Sequence, residues 1–215
     1  MDFEMERFIS ALIDRSPPHA LVHLQLVLIP VIVAFLIAFP VAVLLTRRRF
    51  MRYTDRVMTF FNMGQTIPPL AIIAVFFPFL GLGMEPALFA LTIYALLPIA
   101  RNTLAGLKGV PQEVKEAARG IGMSEWEMLM RVEIPLSMPV VMAGIKISVV
   151  LTSGTAALGA LVGAGGMGAV IFAGIDFFRA ELIIAGTLVI GAIAIVLDRI
   201  LSVIDNKLTP PHMKM

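Results

Sequence analysis

The sequence predicts an all-α, polytopic membrane protein with about five transmembrane helices, and three observations support that fold class. Of the 215 residues, 59% are hydrophobic and the mean hydropathy is +0.93, whereas soluble domains are about 45–50% apolar. Only 15% of the residues are charged. Uncharged runs long enough to cross a bilayer alternate with short basic loops. This composition argues against a soluble enzyme, a disordered tail and a disulfide-stapled secreted domain.

Charge and cysteine content narrow the function further. The formal net charge is only +2, which is too small to indicate nucleic-acid binding. The chain has no cysteine, so thiol catalysis, thiolate metal sites and disulfides are all excluded. The bilayer is therefore the expected surrounding of most of the chain.

Residues 1–20 are expected to form an external amphipathic segment. Phe8 and Leu12 recur at helical spacing, which predicts a short interfacial helix that ends before Pro17 and Pro18. The acidic start has no basic region followed by an apolar stretch, so it does not resemble a cleaved signal peptide.

Residues 21–205 are expected to form one transmembrane domain, followed by a cytoplasmic tail at 206–215. The predicted spans are residues 21–45, 57–80, 86–100, 139–162, and 182–197 or a little beyond. Pro68 and Pro69 are expected to kink the second span. Lys146 lies inside the fourth span, where it either extends to the cytoplasmic surface or lines a transport pathway. The region 163–180 is predicted to be a sixth short helix or a re-entrant segment.

Basic residues predict the orientation of these spans. Thirteen of the seventeen Lys and Arg residues lie in the loop after the first span, in residues 101–138, or near the C-terminus. The positive-inside rule places these regions in the cytoplasm, with the N-terminus outside and the C-terminus inside. An even number of spans would put one basic cluster on the wrong side.

Residues 101–138 are predicted to form an ordered helix–turn–helix. Pro111 suits a first helical position, Glu113 favours the positive end of the helix dipole, and Gly120 and Gly122 are expected to end the helix. The apolar side of this helix is predicted to consist of Val114, Ala117, Ala118 and Ile121.

A second helix is predicted to begin at a capping box formed by Ser124 and Glu127. It presents Trp126 and is expected to end near Pro135. Periodicity alone is also consistent with another interpretation of residues 101–138, namely an amphipathic connector that lies on the lipid headgroups.

The spacing of seven residues in this segment resembles the cytoplasmic EAA loop of type I, binding-protein-dependent ABC importer permeases. The family pattern is E-A-A, three residues, G, nine residues and then I-x-L-P. Two positions differ, both conservatively, in having Val and Ile where the family has Ile and Leu. The matching residues are Glu116, Ala117, Ala118, Gly122, Val132, Ile134 and Pro135.

The resemblance extends over about residues 20–205. The segments QTIPPLA (65–71), YALLPIARNTLAGL (94–107) and GAGGMGAVIFAGI (163–175) look like the osmoprotectant branch of that family, which takes up glycine betaine, carnitine and choline. Permeases for methionine, sulfonates or other small solutes share the EAA loop and stay open as an alternative. A secondary transporter is a further alternative, but it would be expected to carry carboxylates deep in its spans.

The resemblance implies a transporter subunit with no covalent chemistry of its own. Its partners would be two copies of a separate ABC ATPase, a second permease subunit, identical or not, and an extracytoplasmic solute-binding protein. ATP would be bound by the ATPase, so this chain is expected to hold no cofactor; it contains no G-x-x-x-x-G-K-[ST] motif. The expected location is the cytoplasmic (inner) membrane of a prokaryote, as a multi-pass protein.

Two further sets of residues are candidates for function. The glycines at 163–168 formally match a dinucleotide-binding G-x-G-x-x-G, but no βαβ unit surrounds them, so a gate or close packing is the better interpretation. These glycines are Gly163, Gly165, Gly166 and Gly168. Outward-facing charges are expected to dock the binding protein, and these are Asp14, Glu85, Asp176, Arg179 and Glu181.

Overall fold

The computed structural model describes residues 4–208, and this part of the chain forms helices without any β-strand. The α-helices are α1 (Met5–Ser10), α2 (Ser16–Leu45), α3 (Thr54–Thr66), α4 (Pro69–Leu80), α5 (Met84–Lys108), α6 (Gln112–Gly120), α7 (Glu125–Met128), α8 (Ile134–Thr155), α9 (Met167–Asp176) and α10 (Ala180–Leu208). Two π-helical turns, Ala11–Arg15 and Leu129–Glu133, and two 3-10 segments, Met51–Tyr53 and Ala156–Val162, lie between them. The predicted all-α class is confirmed.

Four helical stretches are long and apolar enough to cross a membrane, and a bent pair of helices supplies a fifth. The four are Met5–Leu45, Met84–Lys108, Glu125–Val162 and Ala180–Lys207. In the fifth, Met51–Thr66 and Pro69–Leu80 meet at 92°. The break falls at the predicted prolines, because a residue before proline is driven out of the helical conformation. The expected count of about five spans is confirmed.

The ends of the helices define two ends of the bundle. At one end, the Thr54 hydroxyl donates to the Leu45 carbonyl, which brings the start of α3 to the end of α2. At the other end, the Gly83 amide donates to the Val162 carbonyl at 2.8 Å. The bent pair α3–α4 therefore runs from one end of the bundle to the other.

The core lies where α2, α5 and α8 pack together. Ala34 and Ala38 on α2 and Ala87 and Ala90 on α5 are almost fully buried. Small side chains at such spacing let helix backbones approach closely, as is common between membrane helices. Near the C-terminal end of α10, Asp205 is ion-paired with Lys146 of α8. That lysine, expected to reach the surface or to line a pathway, pairs with a residue of another span, and each of those two alternatives stays a prediction.

Two predicted helix ends are wrong, and both have the same physical cause. The N-terminal helix does not stop before Pro17, and the helix that begins at Glu125 does not stop near Pro135; each continues into a span. A π-turn precedes each proline, and the Ser16 and Ile134 amides bond to carbonyls five residues back. This wider turn rearranges the hydrogen-bond ladder just before residues that cannot donate, so the helix survives.

The predicted spans are shorter than the helices that contain them. α5 continues past Arg101 to Lys108, and α10 continues past residue 197 to Leu208, because polar residues extend these helices beyond the apolar stretch. The uncertain region 163–180 contains α9, whose ten residues are about 15 Å long. That is about half of the hydrocarbon thickness. Most of the predicted tail, residues 209–215, lies outside the described residues.

Candidate functional site

The EAA segment forms a short helix, α6, that ends in a defined C-terminal motif. The Met123 amide donates to the Ala118 carbonyl at 3.1 Å, and the Gly122 amide to the Arg119 carbonyl at 2.9 Å. These two bonds are the Schellman pattern, which requires a left-handed residue at the position of Gly122. Gly122 has φ +83°, a conformation that costs L-residues energy. The glycine of the sequence pattern is therefore needed to reverse the chain after α6.

Most of α6 is exposed, including the residues expected to act. Glu116 and Ala117 are exposed, and Glu116 accepts a 3.2 Å hydrogen bond from Gln112. Only Ala118 is buried. The four residues of the predicted apolar side therefore do not share one environment, because Ala118 is buried against the bundle and the other three are exposed. Val114, Ala117 and Ile121 share one helix face by their spacing and are left uncovered.

The second arm of the segment begins with the predicted capping box. The Glu127 amide donates to Ser124 Oγ, and the Ser124 amide donates to Glu127 Oε2 at 3.0 Å. Trp126 is 65% exposed, which leaves a large aromatic side chain on the surface next to α6. The motif residues Val132, Ile134 and Pro135 are half-buried inside the continuous helix that leads into α8.

Glu133, between two of the motif residues, is a buried carboxylate that the sequence analysis missed. Its side chain is 5% exposed and contacts both Arg47 Nη2 and Lys115 Nζ. Arg47 follows α2, and Lys115 lies on α6, so the basic loop after the first span and the EAA segment meet at one end of the bundle. The charge of Glu133 in a motif of apolar neighbours was the only sequence indication.

A polar cleft lies at this same end of the bundle. Its volume is about 850 Å³. Four of the side chains that line it are cationic and two are carboxylates, so its lining carries a net positive charge. The charged lining residues are Arg47, Arg48, Lys115, Arg119, Glu125 and Glu133.

The predicted glycine segment packs closely and turns sharply. Gly163, Gly165 and Gly166 have φ values of +83°, +74° and +70°. A Cβ on Gly168 would lie 2.0 Å from the Ala157 carbonyl oxygen, so α9 contacts the preceding 3-10 segment backbone to backbone. Close packing is therefore observed at Gly166 and Gly168, while Gly163 and Gly165 make ordinary contacts; a gating movement stays a prediction.

Comparison with known proteins decides the family. Residues 34–210 match the family described as binding-protein-dependent transport system inner membrane component. The chain belongs to this family. It is therefore the multi-pass membrane subunit, or permease, of an ABC transport system in the cytoplasmic membrane. The predicted family is confirmed.

Relatives and solved structures agree with that assignment. The chain is 43% identical to the glycine betaine/carnitine/choline transport system permease protein OpuCB of Bacillus subtilis (strain 168), over 89% of this chain and 88% of that one. It is 40% identical to the osmoprotectant import permease protein OsmY of Salmonella typhimurium, over 87% and 80%. The fold is similar to that in inward-facing structures of the MetNI methionine ABC transporter, with a TM-score of 0.81, 23% identity, and coverage of 96% and 100%.

The charges expected to dock a binding protein are only partly brought together in this permease. Arg179 and Glu181 line a cavity of about 480 Å³ with residues of the N-terminal helix. Glu181 is 4% exposed, so its predicted place among surface charges is wrong; it faces the packing between α10 and the N-terminal helix. The other predicted docking charges are exposed but do not line this cavity, and these are Asp14, Glu85 and Asp176.

Two exposed aromatic residues at that end of the permease were missed by the sequence analysis. Phe177 and Phe178 are 70% and 79% exposed, and they follow α9 directly. They stand as a pair between Asp176 and Arg179, and two apolar residues are too few for periodicity to distinguish exposure from burial. Among residues 4–208, no group of three or more His, Asp or Glu side chains could hold a metal ion.

Proposed function

We propose that this permease belongs to an ATP-driven importer for osmoprotectants such as glycine betaine, carnitine or choline. The observation that carries the proposal is the 43% identity to OpuCB along nearly the whole of both chains. The identity to OsmY covers much of the same length. Because the identity to OpuCB extends through the spans and is not confined to the EAA loop, the aligned region includes the residues that would surround a solute.

In this proposal a separate ATPase subunit, present in two copies, supplies the energy. The exposed face of α6 with Glu116 and Ala117 would dock on the ATPase, because small residues allow close backbone approach. Closure and opening of the ATPases on ATP binding and hydrolysis would then move α6 and drive alternating access. The permease itself would neither bind nor hydrolyse ATP, since its sequence has no P-loop motif.

The basic end of the bundle would face the cytoplasm. The Arg-rich turn after α2 and the α6–α7 segment lie at the same end, as shown by the contact of Arg47 with Glu133. The positive-inside rule then assigns that end to the cytoplasm. The N-terminal helix and Arg179 would face outward, where a solute-binding protein delivers its cargo. A second permease subunit would complete the pathway.

The glycine segment at 163–168 would form part of the outer gate. Consecutive left-handed residues have no Cβ that restricts their backbone. The part of the segment before Gly168 can change its backbone angles at low cost while α9 and α10 keep their packing. Two of these glycines contact side chains of α2, since a Cβ on Gly165 would lie 3.5 Å from Val22 and one on Gly166 would lie 3.1 Å from Leu26.

A permease for methionine or another small solute is the alternative, and the likeness of the fold to MetNI is the observation in its favour. At 23% identity that likeness concerns the fold and not the solute. The test is uptake of labelled glycine betaine, carnitine, choline and methionine in cells that lack other importers for these solutes. Loss of quaternary-amine uptake on deletion of this subunit supports the proposal. Loss of methionine uptake alone refutes it.

A further inference from the structure

Glu133 joins three separate parts of the permease through one side chain. Its Oε2 accepts a hydrogen bond from Arg47 Nη2, and its Oε1 lies 3.5 Å from Lys115 Nζ. Glu133 itself is the last residue of the π-turn that leads into α8. One carboxylate therefore holds the end of α2, the middle of α6 and the base of α8.

The two cations are themselves fixed to neighbouring helix ends. Lys115 Nζ also donates to the Leu107 carbonyl at 3.3 Å, near the end of α5. Arg47 donates through Nε and Nη2 to Thr46 Oγ1, at 3.1 and 2.9 Å. Hydrogen bonds with an ionised donor are stronger than neutral ones. The cluster therefore has the geometry of a joint between α6 and the spans.

Packing alone holds α6 weakly. Of its nine residues only Ala118 is buried, and an isolated helix of this length is not stable in water. Its other side-chain contacts are Gln112 with Glu116 inside α6 and Arg119 with Glu125 at the start of α7, an exposed pair. Lys115, whose side chain is 16% exposed, thus makes the ion pair between α6 and the spans that is largely shielded from water.

The surrounding charges make Glu133 the essential member of the cluster. Two carboxylates line the cleft beside α6, Glu133 and Glu125. The Glu125 side chain is 69% exposed and lies 3.4 Å from Arg119, so water screens it. Glu133 is the buried counter-charge between Arg47 and Lys115. Without it neither Arg47 nor Lys115 would keep its ion-pair partner among the described residues.

The structure assigns Glu133 as a positioning residue that transmits displacement of α6 to α2 and α8. The assignment rests on the proposed function, because the displacement would come from the ATPase. Movement of α6 would displace Lys115. Because Glu133 contacts both Lys115 and Arg47, the displacement would pass to the end of α2 and to the base of α8 together. The π-turn at Leu129–Glu133 is the place where α8 can change its angle, since such turns interrupt the regular hydrogen-bond ladder.

The first test compares Glu133→Gln with Glu125→Gln in the complete transporter, reconstituted with its ATPase and binding protein. Glutamine keeps the size of the side chain and removes the charge. We expect the transporter with Glu133→Gln to hydrolyse ATP at nearly the rate of the unaltered transporter. The amount of solute taken up per ATP should fall about tenfold, which is the effect of losing one hydrogen bond to a charged group. Glu125→Gln, which changes an exposed carboxylate of the same cleft, should leave that ratio unchanged. An unchanged ratio in Glu133→Gln overturns the assignment.

A second measurement does not depend on transport. The chain has no native cysteine, so spin labels on cysteines introduced at Glu113 of α6 and Arg49 after α2, both exposed, report one distance. With Glu133 intact this distance should be narrowly distributed, and with Lys115→Gln or Glu133→Gln it should broaden. Equal widths in all three proteins overturn the assignment. If the unaltered transporter shows no ATP-driven uptake, the proposed function fails, and the spin-label distances still decide whether Glu133 positions α6.

Discussion

Lys146 Nζ on α8 donates a 2.8 Å hydrogen bond to Asp205 Oδ2 on α10, so an ion pair joins two spans of the bundle. The two side chains are 22% and 19% exposed. They are 59 residues apart in the sequence. The pair explains how a lysine is accommodated within an apolar helix, because a charge in such surroundings needs a partner.

Removing either member of this pair should destabilise the permease. We expect Lys146→Met or Asp205→Asn each to lower the free energy of unfolding by about 2 kcal/mol, since each leaves a charge without its main partner. The double variant should recover part of the loss. Denaturation of the purified protein in detergent measures the free energy of unfolding of the three variants. Lys207→Met, a change at an exposed position, is the control. Fully additive losses in the double variant would contradict the pairing.

Gly122→Ala should impair coupling by straining the turn after α6. A β-carbon at φ +83° costs about 1–2 kcal/mol, and the turn would reach its present geometry less often. ATP-driven solute uptake should fall, whereas Gly122→Asn should be tolerated better because asparagine adopts this conformation more readily. Gly120→Ala is the matched control, since no atom lies within 4 Å of its added Cβ and its φ is not positive. Equal uptake by Gly122→Ala and Gly120→Ala would contradict the role of the turn.

Gly168→Ala should destabilise the packing of α9. The added methyl group would lie 2.0 Å from the Ala157 carbonyl oxygen, so the backbones must separate, at a cost of about 1–3 kcal/mol. The melting temperature in detergent should fall. Gly154→Ala, where nothing lies within 4 Å of the new Cβ, should leave it unchanged. A melting temperature for Gly168→Ala equal to that of the control would show that α9 is packed less closely than described.

Ala117→Trp should prevent binding of the ATPase without unfolding the permease. Ala117 is exposed in the isolated subunit, so the larger side chain meets no neighbour until the ATPase docks. Co-purification of the tagged permease with its ATPase measures the effect. Met51→Trp is the control, because Met51 is 50% exposed at the same end of the bundle but outside α6. An ATPase complex that survives Ala117→Trp would exclude this face as the docking surface.

The orientation can be tested with single cysteines, again because the native chain has none. A cysteine at Phe177 should react with a membrane-impermeant maleimide in intact spheroplasts. A cysteine at Arg49 should react only after permeabilisation. Both positions are exposed, so accessibility depends on the side of the membrane. The reverse pattern would place the N-terminus in the cytoplasm and contradict the positive-inside assignment.

Local patterns predicted more of this structure than long-range contacts did. The Ser124–Glu127 capping box and the turn at Gly122 involve residues within a few positions of each other, and both were predicted. The burial of Glu133 was not, because Arg47 lies 86 residues away and no local pattern brings the two together. The helix ends before Pro17 and near Pro135 were predicted wrongly, since nothing in the residue spacing distinguishes a proline that ends a helix from one that follows a π-turn.

The most direct test of the account is ATP-dependent accumulation of solute by the reconstituted transporter. Proteoliposomes would contain this permease with its ATPase, its binding protein and any second permease subunit, with ATP on the ATPase side. We expect labelled glycine betaine, carnitine or choline to accumulate above its external concentration only when ATP and all the subunits are present. Accumulation without the ATPase, driven by an ion gradient alone, would contradict the assignment of this chain as an ABC importer permease.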